Sequence, residues 1–176
     1  MVKCVVCGRK VDGYPYVEIG VQVYYSSREE AVEAAKRFLY DSLGCALGAC
    51  RVRDVQIFLE HYRALGQPGP CTVIGTPDRM NPVAASLLNA LMVRALDYND
   101  IYWVNDPSHP SDIIPAALAP AEFRGLSGKE LITGIVIAYE LEMRFCHAAE
   151  PGIREVGWHH ASLTQFVSPL VAGQPE

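Results

Sequence analysis

Helix-start chemistry recurs along this chain at the head of apolar runs spaced 3 to 4 residues apart, and that pairing restricts it to a helical fold. Ser26 and Ser27 each have a glutamate three residues on, at Glu29 and Glu30. In that arrangement a serine hydroxyl and a carboxylate satisfy backbone N–H groups reciprocally. Ala31, Ala34, Ala35, Phe38, Leu39, Ser42 and Leu43 then follow at helical spacing, which predicts a helix over about 28–48. Arg51 to Leu65 forms a second, with Val52, Val55, Phe58, Leu59 and Tyr62 on one face, stopped by Gly66-Gln67-Pro68-Gly69-Pro70. Cys71 to Thr76 reads as a short extended segment. Asn81-Pro82 is an N-cap followed by proline at the first helical position, opening a helix that runs to about Tyr98. Its Ala84, Ala85, Ser86, Ala90 and Ala95 suit close helix contact.

Ser111 or Asp112 caps the next helix. There Pro115 falls in the tolerant first turn and Pro120 kinks the helix or ends a turn. Ser127-Gly128-Lys129-Glu130 is a further capping box, and a helix is predicted from Lys129 to about Cys146. Gly152 to His160 is a loop, and Ala161 to Val171 is helical until Pro169 breaks it. The expected fold is all-α: a helical bundle over 26–172, a short irregular or β-like arm over 1–25, and a tail at 173–176. The arm is β-branched and aromatic, interrupted by Gly13 and Pro15, and forms one or two short strands or stays poorly ordered.

Composition excludes several function classes. Half of the 176 residues are apolar and only 20% are charged, with mean hydropathy of +0.10. That charge content is low for a chain of this size and points to apolar surface meant for another chain or segment. The net charge of −5, without a Lys/Arg block, argues against nucleic acid as a partner. Leu131 to Tyr139 is too short to span a bilayer, and the charged, cysteine-bearing start is unlike a secretory leader, so a cytoplasmic location is expected, with no membrane partner. Six scattered cysteines fit reduced core thiols better than a disulfide framework. Cys4 and Cys7 look like half of a zinc knuckle; a structural zinc site needs a second pair, which the other cysteines do not offer, so no metal is assigned.

The chemistry concentrates in Asp97–Asp112, DYNDIYWVNDPSHPSD. Asp97 and Asp100 lie three apart at the expected helix end, where carboxylates oppose the helix dipole. The plainer reading is a pair of solvated loop carboxylates. His109, made extended by Pro110, precedes a helix N-terminus where N–H groups attract anions. It can serve as an acid or base near neutral pH, or be an ordinary surface histidine. A second histidine-bearing loop, Gly157 to Ser162, places His159 and His160 before another helix, where either can be a cap or face a shared pocket. Adjacent histidines are poorly disposed to ligate one metal.

The run ALMVRALDYNDIYWVNDPSHPSDIIPAALAPAEFRGLSGKELITGIVIAYELEMRF, followed by GWHHAS, resembles the N-terminal helical domain of the MmgE/PrpD family. EEAVEAAKRFLYDSLGCALGA and GPCTVIGT resemble the same family's first helices and extended segment, so the likeness covers roughly 26–163. The family includes 2-methylcitrate dehydratase and cis-aconitate decarboxylase. The resemblance implies a cofactor-free lyase acting on small di- or tricarboxylates, 2-methylcitrate dehydration foremost, in a homodimer. It assigns catalytic roles to Asp97, His109 and His159 and substrate contacts to Asp100, Ser111 and His160. Ile101 stands where a threonine often follows the acidic pair.

The family's chains are more than twice as long, and their later lysines and histidines, with a smaller α+β domain, lie past the helix near His160. The expectation is therefore an incomplete member, weak or inactive alone, that pairs with itself or with a complementary C-terminal chain. The competing expectation is a non-catalytic helical interaction module derived from such an enzyme.

Overall fold

A computed structural model describes residues 27–103 and 107–173. The arm, with Cys4 and Cys7, and Asp106 of the acidic loop lie outside the described residues. Six helices account for most of the described chain: α1 (Arg28–Ala49), α2 (Arg53–Leu65), α3 (Pro82–Arg94), α4 (Ile114–Arg124), α5 (Gly128–Ala148) and α6 (Thr164–Ala172). Two small antiparallel pairs join them, β1 (Pro68–Thr72) with β2 (Arg79–Met80) and β3 (Tyr102–Trp103) with β4 (Pro107–Ser108).

Three of the caps fall where the sequence places them. The Ser27 hydroxyl accepts from the Glu30 N–H at 3.1 Å, and the Asn81 side chain accepts from Ala84 N–H at 2.9 Å with Pro82 following. Ser127 and Glu130 make the full reciprocal box. Gly66 closes α2 in the left-handed region at φ 61°, which a side chain would strain. At Gly69 a Cβ would sit 2.5 Å from the Asn81 backbone, so the crossing of β1 over the start of α3 requires glycine.

Several expected boundaries move. The extended segment starts at Pro68, because a two-strand ladder tolerates proline where no N–H is needed. Helix α3 ends at Arg94 rather than near Tyr98. Asp97 turns left-handed at φ 51° and ion-pairs with Arg94, which halts the helix. Neither Ser111 nor Asp112 caps α4. A 3₁₀ turn over Pro110–Ile113 leads into it, and both side chains are engaged elsewhere. Pro120 and Pro169 lie inside α4 and α6, which continue past them. Phe58, expected on the inner face of α2, is exposed.

Helix α1 crosses two apolar cores. Its Ala35 joins Ile113, Ile114, Ile135, Ala138, Tyr139 and Val167, where α4, α5 and α6 meet. Its Ala46 and Ala49 join Val55, Leu59, Val73, Leu88 and Met92 around α3. Cys71, Ala85 and Ala119 form a small contact between β1, α3 and α4. The small residues of α3 serve the predicted purpose, since Ala84 and Ala85 are buried and Ser86 Oγ donates to the Pro115 carbonyl at 3.2 Å. Cys45, Cys71 and Cys146 are buried.

Candidate functional site: an imidazole wall

The loop between α3 and α4 folds back on itself because Asp100 collects its donors. Asp100 Oδ1 accepts from the Ser111 N–H at 3.1 Å and from the Ser111 hydroxyl, and Oδ2 accepts from Tyr139 Oη at 2.8 Å. Tyr139 stacks on Phe38 with ring centroids 4.4 Å apart, so the loop is anchored through α5 to α1. Ser111 is buried, and Asn99 Nδ2 donates to its hydroxyl at 2.8 Å. Ser111 therefore holds Asp100 in place. The same Asn99 nitrogen donates to Asp112 Oδ1 at 2.9 Å.

This folding aims His109. Its Nδ1 lies 2.6 Å from the Asp100 carbonyl oxygen, which can only accept, so Nδ1 carries a proton and, in a neutral ring, Nε2 presents a lone pair. His159 is held the other way round. Its Nδ1 accepts from the Ala161 N–H at 3.2 Å, capping the 3₁₀ turn His160–Ser162, so a neutral ring carries its proton on Nε2. His160 sits between them, its ring centroid 4.1 Å from His159 and 5.9 Å from His109. Two loops fifty residues apart in the chain thus bring three imidazoles together. Partial burial, then the charges of His159, His109, Arg154 and Arg94, hold His160 below the ordinary histidine range.

Asp97 is exposed, and the Arg94 guanidinium beside it keeps its carboxyl below the usual range. The His109 tautomer is set by the Asp100 backbone, not by the Asp97 side chain. Two guanidiniums flank the wall. Arg94 reaches Asp97, Asn99 Oδ1 at 3.3 Å and Asp112 Oδ2 at 3.9 Å. Arg154 lies over the Trp103 ring, 5.9 Å from its centroid. Among the described residues no His, Cys, Asp and Glu cluster has the geometry of a metal site. A groove of about 240 Å³ lined by Ala117, Pro120, Leu131 and Val171 belongs to the α4–α5–α6 end and contains none of these histidines.

Beneath the wall lie two further carboxyls: Asp112, which the sequence offered as a helix cap, and Glu142, which spacing alone did not single out. Burial pushes Asp112 up to about 7, and the Asp100 and Glu142 charges add to this against Arg94 and Asn99. Glu142 is fully buried, and desolvation raises it too. Its Oε1 accepts from the Ser108 hydroxyl and from Thr164 Oγ1 at 3.2 Å. A sequence signal for Glu142 existed: it falls in step with Ile135, Ala138, Tyr139 and Cys146 on the apolar face of α5. Arg94, Asn99, Tyr139 and Arg154 carry no such mark.

Residues 21–175 match the MmgE/PrpD N-terminal domain family. Over 171 residues the chain is 29% identical to a 2-methylcitrate dehydratase of Escherichia coli (strain K12), covering 88% of this chain and 34% of that protein. Over 137 residues it is 28% identical to a cis-aconitate decarboxylase of Aspergillus terreus, covering 74% of this chain and 28% of that one. A probable 2-methylcitrate dehydratase of Saccharomyces cerevisiae is 26% identical over 156 residues. The chain spans about a third of the length of these curated relatives. A helical architecture and a family match across nearly the whole chain lead to one conclusion: this chain belongs to the MmgE/PrpD family, as its N-terminal domain.

Proposed function

We propose that the imidazole wall is one side of a site for small di- or tricarboxylates, working in a 2-methylcitrate dehydratase-like lyase reaction. The observation that carries this is the meeting of His109, His159 and His160 with opposite tautomers at His109 and His159. Dehydration beside a carboxylate breaks a C–H bond and a C–O bond, so it needs a base and an acid. His109 Nε2 is free to take the α-proton, and the Asp100 carbonyl steadies the imidazolium that results. A protonated imidazole of the 159–160 pair gives its proton to the departing hydroxyl, which leaves as water. Asp97 stays ionised next to Arg94. The relatives named for 2-methylcitrate support the substrate class.

Arg94 and Arg154 are two cations for a substrate with up to three carboxylates, and Arg94 is already shared among Asp97, Asn99 and Asp112. Turnover by this wall alone is therefore expected to be low, rising when a second copy or a complementary chain supplies further cations. The test is a titration of tricarballylate, a tricarboxylate with no hydroxyl to lose, followed by the ¹³C-labelled histidine resonances. Millimolar ligand is expected to shift His109, His159 and His160, and Arg154→Met to weaken the response severalfold. Unmoved imidazole signals in a folded chain sink the proposal.

A non-catalytic interaction module is the competing reading. It is favoured by exposed Trp103, Trp158 and Phe166 (64%, 66% and 60% accessible) beside the same loops. Self-association at micromolar concentration together with no imidazole response to tricarballylate selects it.

A further inference from the structure

One carboxyl oxygen joins the two segments that bear the imidazoles. Glu142 Oε1, projecting from α5, accepts from Ser108 on one side and from Thr164 on the other. Ser108 immediately precedes His109 and is itself fully buried. Thr164 is the first residue of α6, directly after the turn that carries His159 and His160. These segments are far apart in sequence, and α5 lies between them in the chain. Glu142 Oε2 is buried with no hydrogen-bond partner. An unmatched buried carboxylate is costly unless the site requires the group, and a neutral acid is the less costly form. An aliphatic residue would fill the same space on the apolar face of α5, but it would leave both hydroxyls without their shared acceptor.

We propose that Glu142 is a positioning residue whose carboxyl sets the spacing between His109 and His160. It acts by clamping Ser108 and Thr164 to a common point on α5, so the loops cannot separate without breaking a buried hydrogen bond. This rests on the convergence of the rings and not on the lyase reading. It stands whether or not the wall binds tricarboxylates.

The experiment reads the rings directly in ¹³C-histidine-labelled chain. Wild type is expected to show a cross-relaxation peak between the His109 and His160 ring protons and a His160 titration midpoint below that of an ordinary histidine. Glu142→Gln keeps an oxygen acceptor for both hydroxyls, so both signals are expected to persist. Glu142→Leu is expected to lose the peak and to raise the His160 midpoint towards its ordinary range, with helical circular dichroism retained. A structural role alone lowers the unfolding midpoint and leaves the ring spacing untouched. If Glu142→Leu does not fold, Thr164→Val and Ser108→Ala decide, each releasing one segment; a peak weakened at least twofold in both supports the proposal. An unchanged peak in Glu142→Leu, or in both hydroxyl variants, overturns it.

Discussion

Asn89 on α3 and Glu142 on α5 are both fully buried polar side chains, and the protein treats them in opposite ways. Asn89 is neutral and matched at both ends. Its Oδ1 accepts from the Ile74 N–H at 2.9 Å, and its Nδ2 donates to the Thr72 carbonyl at 2.9 Å. It gives the irregular chain after β1 the partners that a longer sheet would have supplied. Glu142 is ionisable, matched twice through one oxygen and unmatched at the other. The difference separates two regions. Around α3 the scaffold uses a fixed amide whose bonds are indifferent to pH. Under the imidazole wall the chain buries titratable groups whose charge state bears on its stability.

The sharpest way to break this contrast is Asn89→Leu. It orphans a buried donor and a buried acceptor at about 1–3 kcal/mol each, so a loss of about 4 kcal/mol is expected in urea unfolding. Glu142→Gln, which preserves its acceptor oxygen, is expected to stay within about 1 kcal/mol of wild type at neutral pH. Equal losses in the two variants would erase the distinction.

Next in size is a pH effect at Asp112, whose folded value is about 7 against an ordinary 3.8. The folded chain holds a proton there that the unfolded chain has released. The associated stability is therefore present below the unfolded value and is lost as pH rises through about 7. The loss is on the order of 3 kcal/mol, reduced by the partial exposure of the side chain. Asp112→Asn is expected to flatten the decline of the urea midpoint between roughly pH 4 and 8. Glu140 and Glu142, raised by desolvation in the same direction, leave a residual slope. Asp78 and Asp97, lowered by Arg63 and Arg94, act with the opposite sign. An identical slope in wild type and variant would remove Asp112 from this account.

Tyr139→Phe sharpens the picture of the loop anchor. The ring still stacks on Phe38, but Asp100 Oδ2 loses its phenol donor, at a cost of about 1–2 kcal/mol. His109 is expected to keep its tautomer, seen in the imidazole ¹⁵N shifts, because the Asp100 backbone carbonyl remains. The smallest effect belongs to the scaffold side. Arg63 donates to both oxygens of Asp78, one at 3.0 Å and the other at 2.6 Å, but the pair is partly exposed. Arg63→Met is expected to cost about 0.5 kcal/mol, shrinking in high salt.

The helical elements were legible because their signals are local. The Asn81-Pro82 start and the Ser127–Glu130 box are chemistry within one turn, and each opens a helix where the spacing put it. The end of α3 was not legible, because Arg94 pairing with Asp97 is a choice between competing side-chain partners. Nor was the fate of Ser111 and Asp112. Both have the composition of a helix cap, yet Asp100 and Asn99 reach them from the other side of the loop. Pro169, expected to break its helix, lies inside α6, where packing outweighs one missing bond.

The sequence by itself determined a helical chain, its caps, its family motifs and the residue types available for proton transfer, since periodicity and capping are written within a few residues of one another. Only the tertiary structure decided which of those residues meet. His109 and His160 become neighbours, Asp97 turns outward to Arg94, and Glu142 goes under the wall. Those outcomes depend on α5 and α6 packing against the loop before α4, and such long-range contacts arise from the shared burial of distant segments, which no local pattern encodes.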